Sequence, residues 1–212
     1  GDNASESALL SFFGRTQFDW KDRYLFSASF RRDGSSRFGA NNRFGTFPSA
    51  SAAWILSREA FWGKHWLTFA KVRVSWGQNG NDKIGDYSYS TVVLPGQNYT
   101  FGPSERITNG SAPQQASNPD LRWETSEQTN IGLDLEAWSG KVNLSADYYR
   151  KYTRDMLSRV PIPTIVGVGA PFQNVGTMLN EGIELSLELQ EKRAAWSYRL
   201  SGNLSLTRTE VI

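Results

Sequence analysis

The run Asn130-Ile131-Gly132-Leu133-Asp134-Leu135-Glu136-Ala137, followed after Trp138-Ser139-Gly140-Lys141 by Val142-Asn143-Leu144-Ser145-Ala146-Asp147-Tyr148-Tyr149, decides the fold. In an extended chain successive side chains point to opposite faces. Ile131, Leu133, Leu135 and Ala137 therefore share one face, and Asn130, Gly132, Asp134 and Glu136 the other. A tight turn at Ser139-Gly140-Lys141 brings the second run back antiparallel. Val142, Leu144, Ala146 and Tyr148 then join the apolar face, while Asn143, Ser145, Asp147 and Tyr149 join the polar one.

The same grammar continues in both directions. Ile183, Leu185, Leu187 and Leu189 alternate with Glu184, Ser186, Glu188 and Gln190. Beyond a turn at Glu191 to Ala195, Trp196, Tyr198, Leu200, Leu204 and Leu206 alternate with Ser197, Arg199, Ser201, Asn203 and Ser205. Towards the N-terminus, residues 9–20 and 23–32 pair across Lys21-Asp22, followed by strands at 45–56 and 69–78. Helical periodicity is weak throughout. The expected fold is all-β: an antiparallel up-and-down meander of about eight strands over residues 8–212, with the polar stretch 1–7 as a lead-in or linker.

The connections alternate in length. Short links fall at 21–22, 139–141 and 191–195, and long ones rich in Gly, Asn, Ser and Pro fall at 33–44, 79–121 and 157–175. The link at 57–68 is intermediate, with Ser57-Arg58-Glu59-Ala60 read as a helical turn behind a Ser cap. Such sidedness is a property of transmembrane β-barrels, whose long loops face outside. Trp20, Tyr24, Trp54, Trp138, Trp196 and Tyr198 cluster beside the shorter turns, as an interfacial aromatic girdle requires. Tyr148, Tyr149 and Tyr152 are expected in the opposite girdle. The competing reading makes these rings ordinary cross-strand pairs.

Composition narrows the classes. The chain has 212 residues, 39% hydrophobic, enough for one ordinary domain. Without cysteine it has no disulfide framework, thiolate metal site or cysteine nucleophile. Its 23 basic and 21 acidic residues are dispersed, so no basic run tracks a phosphate backbone, and nucleic acid is not an expected partner. No stretch approaches the roughly 18 to 20 apolar residues of a membrane helix. The mean hydropathy is negative, yet a membrane barrel needs only every second residue apolar. Gly1–Ser7 lack the charged and apolar regions of a signal peptide.

Chemical sites are sparse. His65 is the sole histidine, and no G-x-S-x-G elbow accompanies it; between Trp62 and Trp66 it reads as an interfacial residue. Carboxylate pairs such as Glu124 with Glu127, or Asp134 with Glu136, have the composition of a glycosidase site, but their setting among Ser126, Gln128 and Asn130 reads as a solvated wall. Asn79, Asn81, Asp82 and Asp86 offer oxygen ligands without the spacing of a calcium loop. Sequons at Asn98, Asn109, Asn143 and Asn203 are read as chance, and Gly167-Val168-Gly169-Ala170 as a flexible loop. No catalytic residue, metal site or cofactor is expected. Ligand contacts are expected from long-loop aromatics, Tyr87, Tyr89, Tyr99, Phe101 and Phe172, against the favoured alternative that these rings pack the loops onto one another.

Five stretches carry a family resemblance: Arg31-Arg32-Asp33-Gly34-Ser35-Ser36-Arg37-Phe38-Gly39, Asn42-Arg43-Phe44-Gly45-Thr46-Phe47-Pro48-Ser49, Val74-Ser75-Trp76-Gly77-Gln78-Asn79-Gly80, Asn118-Pro119-Asp120-Leu121-Arg122-Trp123-Glu124, and Asn180-Glu181-Gly182-Ile183-Glu184. In order and spacing they resemble the late barrel domain of SusC/RagA-type TonB-linked outer-membrane receptors. The resemblance implies a large barrel in the outer membrane of a Gram-negative bacterium that imports oligosaccharides, glycans or peptides. It also implies TonB, a SusD-like surface lipoprotein and outer-membrane lipid as partners. A plug domain, a TonB box and a terminal aromatic strand signal are missing from the stretch in hand. Physically, Asp33-Gly34 is read as a positive-φ strand exit, and Asn118-Pro119-Asp120 as a turn opening.

One alternative stays open at this stage, a soluble all-β ligand-binding module of the lectin-like sandwich kind, with the apolar faces sealed against each other. The outer strands of an isolated barrel segment have unpaired edges, so either closure into a small eight-stranded barrel or self-association is expected.

Overall fold

A computed structural model describes residues 6–63, 66–103 and 105–212. His65 lies outside the described residues. Strands are numbered in chain order: β1 (Leu9–Trp20), β2 (Tyr24–Ser35), β3 (Phe44–Ile55) and β4 (Leu67–Asn81) come first. Four three-residue strands follow inside a long loop, β5 (Val93–Pro95), β6 (Tyr99–Phe101), β7 (Arg106–Thr108) and β8 (Ser111–Pro113). Then come β9 (Glu124–Ala137), β10 (Val142–Arg154), the short β11 (Leu157–Arg159) and β12 (Phe172–Asn174), and finally β13 (Thr177–Lys192) and β14 (Ser197–Val211).

The eight long strands form one antiparallel sheet in the order β1-β2-β3-β4-β9-β10-β13-β14. Register puts the alternation to work across the whole sheet. Phe18 faces Phe26, which faces Ala52, which faces Val74, which faces Ile131, which faces Tyr148, which faces Ile183, which faces Leu206. Because pairing preserves side, every apolar set named from sequence lands on one continuous face. That face is bare: Phe26 is 49% exposed, Ile183 47% and Leu204 53%. Among the described residues the other sheets are two-stranded pairs, β11-β12, β5-β8 and β6-β7, so no second layer covers the apolar side as a sandwich would require.

Sequence placed the long strands well and missed the short ones. β2 continues through Asp33 and Gly34, neither of which has positive φ. The glycine is needed for space instead, since a Cβ there would fall 2.5 Å from the Phe44 ring. At the Lys21-Asp22 turn both residues have positive φ, at 57° and 53°, and Arg23 N donates to Trp20 O, the signature of the I′ hairpin whose twist matches its strands. The helical turn is a 3₁₀ segment at Leu56–Arg58, capped by Ile55 with no side-chain bond, so Ser57 is not its cap. Tyr149 departs from the outer girdle expected of it but keeps the side that the alternation gave it. It lies on the polar face opposite Tyr148, because neighbours in a strand cannot share a side, and its hydroxyl bonds that of Thr207.

The row is open. β1 and β14 each pair on one side only, so the closure expected as one outcome does not occur. Eight closed strands leave an interior just wide enough for side chains to fill, whereas this polar face carries a lattice of charged side chains and a folded rim.

Candidate functional site

The polar face is built by the residues that alternate with the apolar set. At its centre, Arg73 on β4 lies across β9 and β10. Its guanidinium donates to both oxygens of Asp134 at 3.0 and 3.1 Å, both oxygens of Asp147 at 2.8 and 2.7 Å, and Ser145 Oγ at 3.1 Å. Lys71 Nζ approaches Asp134 at 2.8 Å. Two cations thus meet two carboxylates, and planar bidentate geometry strengthens each bond. The brace requires Gly132 between them, where a Cβ would lie 2.5 Å from Arg73 Cζ.

Towards β1 the wall turns to hydroxyls. Ser27 bonds Ser51 at 2.8 Å and Ser29 bonds Ser49 at 2.7 Å across neighbouring strands. Arg15, Arg31, Ser75, Asn79, Gln128 and Asn130 join these serines around an open concavity of about 760 Å³. The lining sets these donors and acceptors beside the rings of Phe13 and Phe47, a surface suited to a guest that carries both hydrogen-bonding groups and apolar faces. The carboxylate pairs do not form a hydrolytic couple. Glu124 and Glu127 sit on opposite faces, as their odd separation demands, and Asp134 is engaged by Arg73 and Lys71.

The long loops fold at one end of the sheet. Phe38, Phe47, Ile84, Leu121 and Trp123 form a buried cluster against which Tyr89, Leu157 and Phe172 pack. Trp123 packs on Phe38 and Phe47 with centroids 5.3 and 5.4 Å away, and its indole N–H donates to Arg43 O at 3.1 Å. Asn118 opens its turn as expected, accepting from Asp120 N at 3.2 Å, and its amide donates to Phe172 O at 2.8 Å. Asp82 and Asp86 are held by Arg37 at 3.8 and 3.0 Å. Among the described residues no group of three or more His, Asp or Glu side chains has the geometry to hold a metal.

The aromatic ligand candidates are not brought together. Tyr89 and Phe172 belong to the rim core. Tyr87, with φ of 60°, and Tyr99 are exposed. Phe101 lies on β6, and its side chain is outside the described set. Sequence reasoning did not foresee the Arg73 brace or the serine ladder as units; their only sequence signal is the phase of Arg73 and the serines on the polar side of the alternation.

At the opposite end, aromatic rings gather beside the short turns. Trp20 packs on Tyr24 and Tyr24 on Trp54, with centroids 5.4 and 6.2 Å apart, and Trp66 meets Trp138 at 5.2 Å. Glu59 ties this edge together, accepting from Tyr24 Oη at 2.7 Å, Trp54 Nε1 at 3.0 Å and Arg23 Nη1 at 3.0 Å. The Tyr24 hydroxyl, then the Trp54 indole and the Arg23 charge, hold its carboxyl below the usual carboxylate range against the opposing effect of burial.

A wall with one bare apolar side, one polar side, long loops at one end and aromatic rings at the other is a segment of a transmembrane β-barrel. The chain belongs to the TonB-dependent receptor family: the family model "TonB dependent receptor-like, beta-barrel" matches residues 1–212. TonB-dependent receptor P39 of Formosa agariphila is 38% identical over all of this chain and 20% of its own length. TonB-dependent receptor SusC of Bacteroides thetaiotaomicron is 33% identical over 98% of this chain and 21% of its own length. The RagAB peptide importer in its closed-closed state superposes with a TM-score of 0.87 at 33% identity, over 98% of this chain and 22% of that one. The siderophore receptor PirA of Pseudomonas aeruginosa, at 16% identity and a TM-score of 0.63, shares the fold. The chain thus spans about a fifth of the length of the relatives it matches.

Proposed function

We propose that residues 8–212 form part of the wall of a Gram-negative outer-membrane importer for oligosaccharides, glycans or peptides, with 1–7 leading into it. The complete protein is energised by TonB and works with a SusD-like surface lipoprotein; this segment supplies passage lining and lipid-facing wall. One observation carries the reading: through the middle of the sheet the Arg73 guanidinium and the hydroxyls of Ser27, Ser29, Ser49, Ser51 and Ser145 lie on one side, and the other side there carries Phe26, Ala52, Val74, Ile131, Ile183 and Leu204. Peptide cargo is supported by the likeness to a peptide importer, and polyhydroxylated cargo suits the same serine-lined concavity. Tyr87 and Tyr99, exposed on the long loop, are the first contacts for cargo at the mouth, with Tyr89 and Phe172 held on the rim core and Phe101, on β6, kept as a further candidate. No step of bond making or breaking is assigned to the segment.

The test is uptake by cells whose only copy of the complete receptor is wild-type or carries Ser49→Trp and Ser51→Trp, offered labelled peptide and oligosaccharide pools. Uptake of one pool, lost in the double variant while the receptor remains in the outer membrane, is expected. Transport of neither pool by wild-type cells contradicts the reading.

A further inference from the structure

The bare apolar face is uneven. Where β2, β3 and β4 meet, Ala28 lies opposite Ala50 and Ala52 lies beside them. Small side chains there leave a trough of about 440 Å³ between Phe26 and Trp76. An alanine patch flanked by rings gives a slot where a hydrocarbon chain gains contact on three sides, and contact is what distinguishes one apolar surface from another in lipid.

At the long-loop end of the same outward face stands Arg32. It shares side with Phe26 and Phe30 by strand alternation, and its guanidinium lies 5.1 Å from the centre of the Phe44 ring. The other outward arginines at this end each have a carboxylate, Arg150 with Glu181, Arg154 with Glu127 and Arg208 with Glu210. Arg32 forms no ion pair among the described residues. A positive, planar fork at the end of an apolar trough complements an anion that trails hydrocarbon, and phosphate matches the fork's geometry.

Height agrees with this. Phe26 and Arg32 are six residues apart, or roughly 20 Å along the strand at ~3.4 Å per residue. At a barrel tilt of about 40° this is about 15 Å along the membrane normal, half of the ~30 Å hydrocarbon thickness. Tyr24 stands in the short-turn girdle, so by the same spacing Ala28 lies roughly 10 Å and Arg32 about 21 Å above that girdle, respectively within and near the outer edge of the ~25 Å apolar band.

Resting on the barrel reading, we propose that the outward face of β2–β4 is a binding site for a phosphate-bearing lipid of the outer leaflet, one acyl chain in the Ala28–Ala50–Ala52 trough and the phosphate on Arg32. The test is native mass spectrometry of the complete receptor, extracted from outer membranes in mild detergent, scoring retained phosphate-bearing lipid. Ala50→Phe, which fills the slot and removes its dispersion contacts, and Arg32→Gln, which removes the charge on the phosphate, should each lower retained lipid severalfold, Arg32→Lys should restore most of it, and Leu204→Phe, elsewhere on the same face, should leave it unchanged. Retention unaltered by Ala50→Phe and Arg32→Gln overturns the site, and loss in Ala50→Phe alone overturns the phosphate assignment. A receptor that does not fractionate with the outer membrane at all overturns the barrel reading and this site with it.

Discussion

Gly132 shows how little freedom a wall residue has. It sits under Arg73, whose guanidinium lies flat over the place any side chain would need. Gly132→Val should expel Arg73 and leave Asp147 without its cation, while Asp134 keeps Lys71. The bonds are only partly shielded from water, so a loss of about 1 to 2 kcal/mol is expected, read as a lower urea midpoint for the complete receptor in lipid. Leu204 and Asn203, adjacent in β14, test the assignment of faces. Leu204→Lys should cost ~2 to 4 kcal/mol where it meets the bilayer mid-plane, whereas Asn203→Lys, on the lumen side, should cost well under that. Equal penalties would contradict the two-faced wall. The phase of these residues was legible in sequence. Their partners were not: Arg73 reads as an isolated cation between Val72 and Val74 until the fold brings Asp147 beside it from another strand.

At the level of elements, the long strands could be read directly because twelve or more alternating residues overdetermine both type and side. The three-residue strands β5 to β8 were invisible, since three residues carry no period. The rim core was half legible. Phe38, Phe47, Leu121 and Trp123 lie in the stretches that carried the family resemblance and Ile84 does not; Phe47 and Trp123 are far apart in sequence, and only pairing through β4 and β9 brings their ends together. Trp123→Ala should remove the ring that Phe38 and Phe47 pack on and cost about 3 to 5 kcal/mol locally. The expected readout is faster proteolysis within loop 82–123 with the barrel intact; unchanged cleavage would contradict a rim held by this cluster. The short-turn edge has its own signature. Glu59 has its carboxyl lowered in the fold, so its bonds stabilise the edge above the ordinary carboxylate range, near pH 4, and that stability fades as pH falls through the folded value. The Trp54 indole N–H resonance should hold through mild acid and shift below about pH 4, and Glu59→Leu should abolish that acid step.

For the molecule as a whole, the deciding fact is what lies against the apolar face. A lectin-like sandwich needs a second sheet there, and the structure has none among its described residues. The row of eight strands is open, β1 and β14 each pairing on one side only, and the relatives it matches are about five times its length. Sequence named the unpaired outer edges but left closure open, because closure depends on strand tilt and stagger, which alternation does not encode. The segment contains no cysteine, so single cysteines can be introduced and spin-labelled one at a time from Ile183 to Gln190 in the complete receptor, reconstituted in bilayers. The account predicts that labels at Ile183, Leu185, Leu187 and Leu189 are relaxed by oxygen dissolved in the lipid, and those at Glu184, Ser186, Glu188 and Gln190 by a water-soluble nickel complex. Labels at all eight positions shielded from both reagents, or showing no alternation between them, would contradict it.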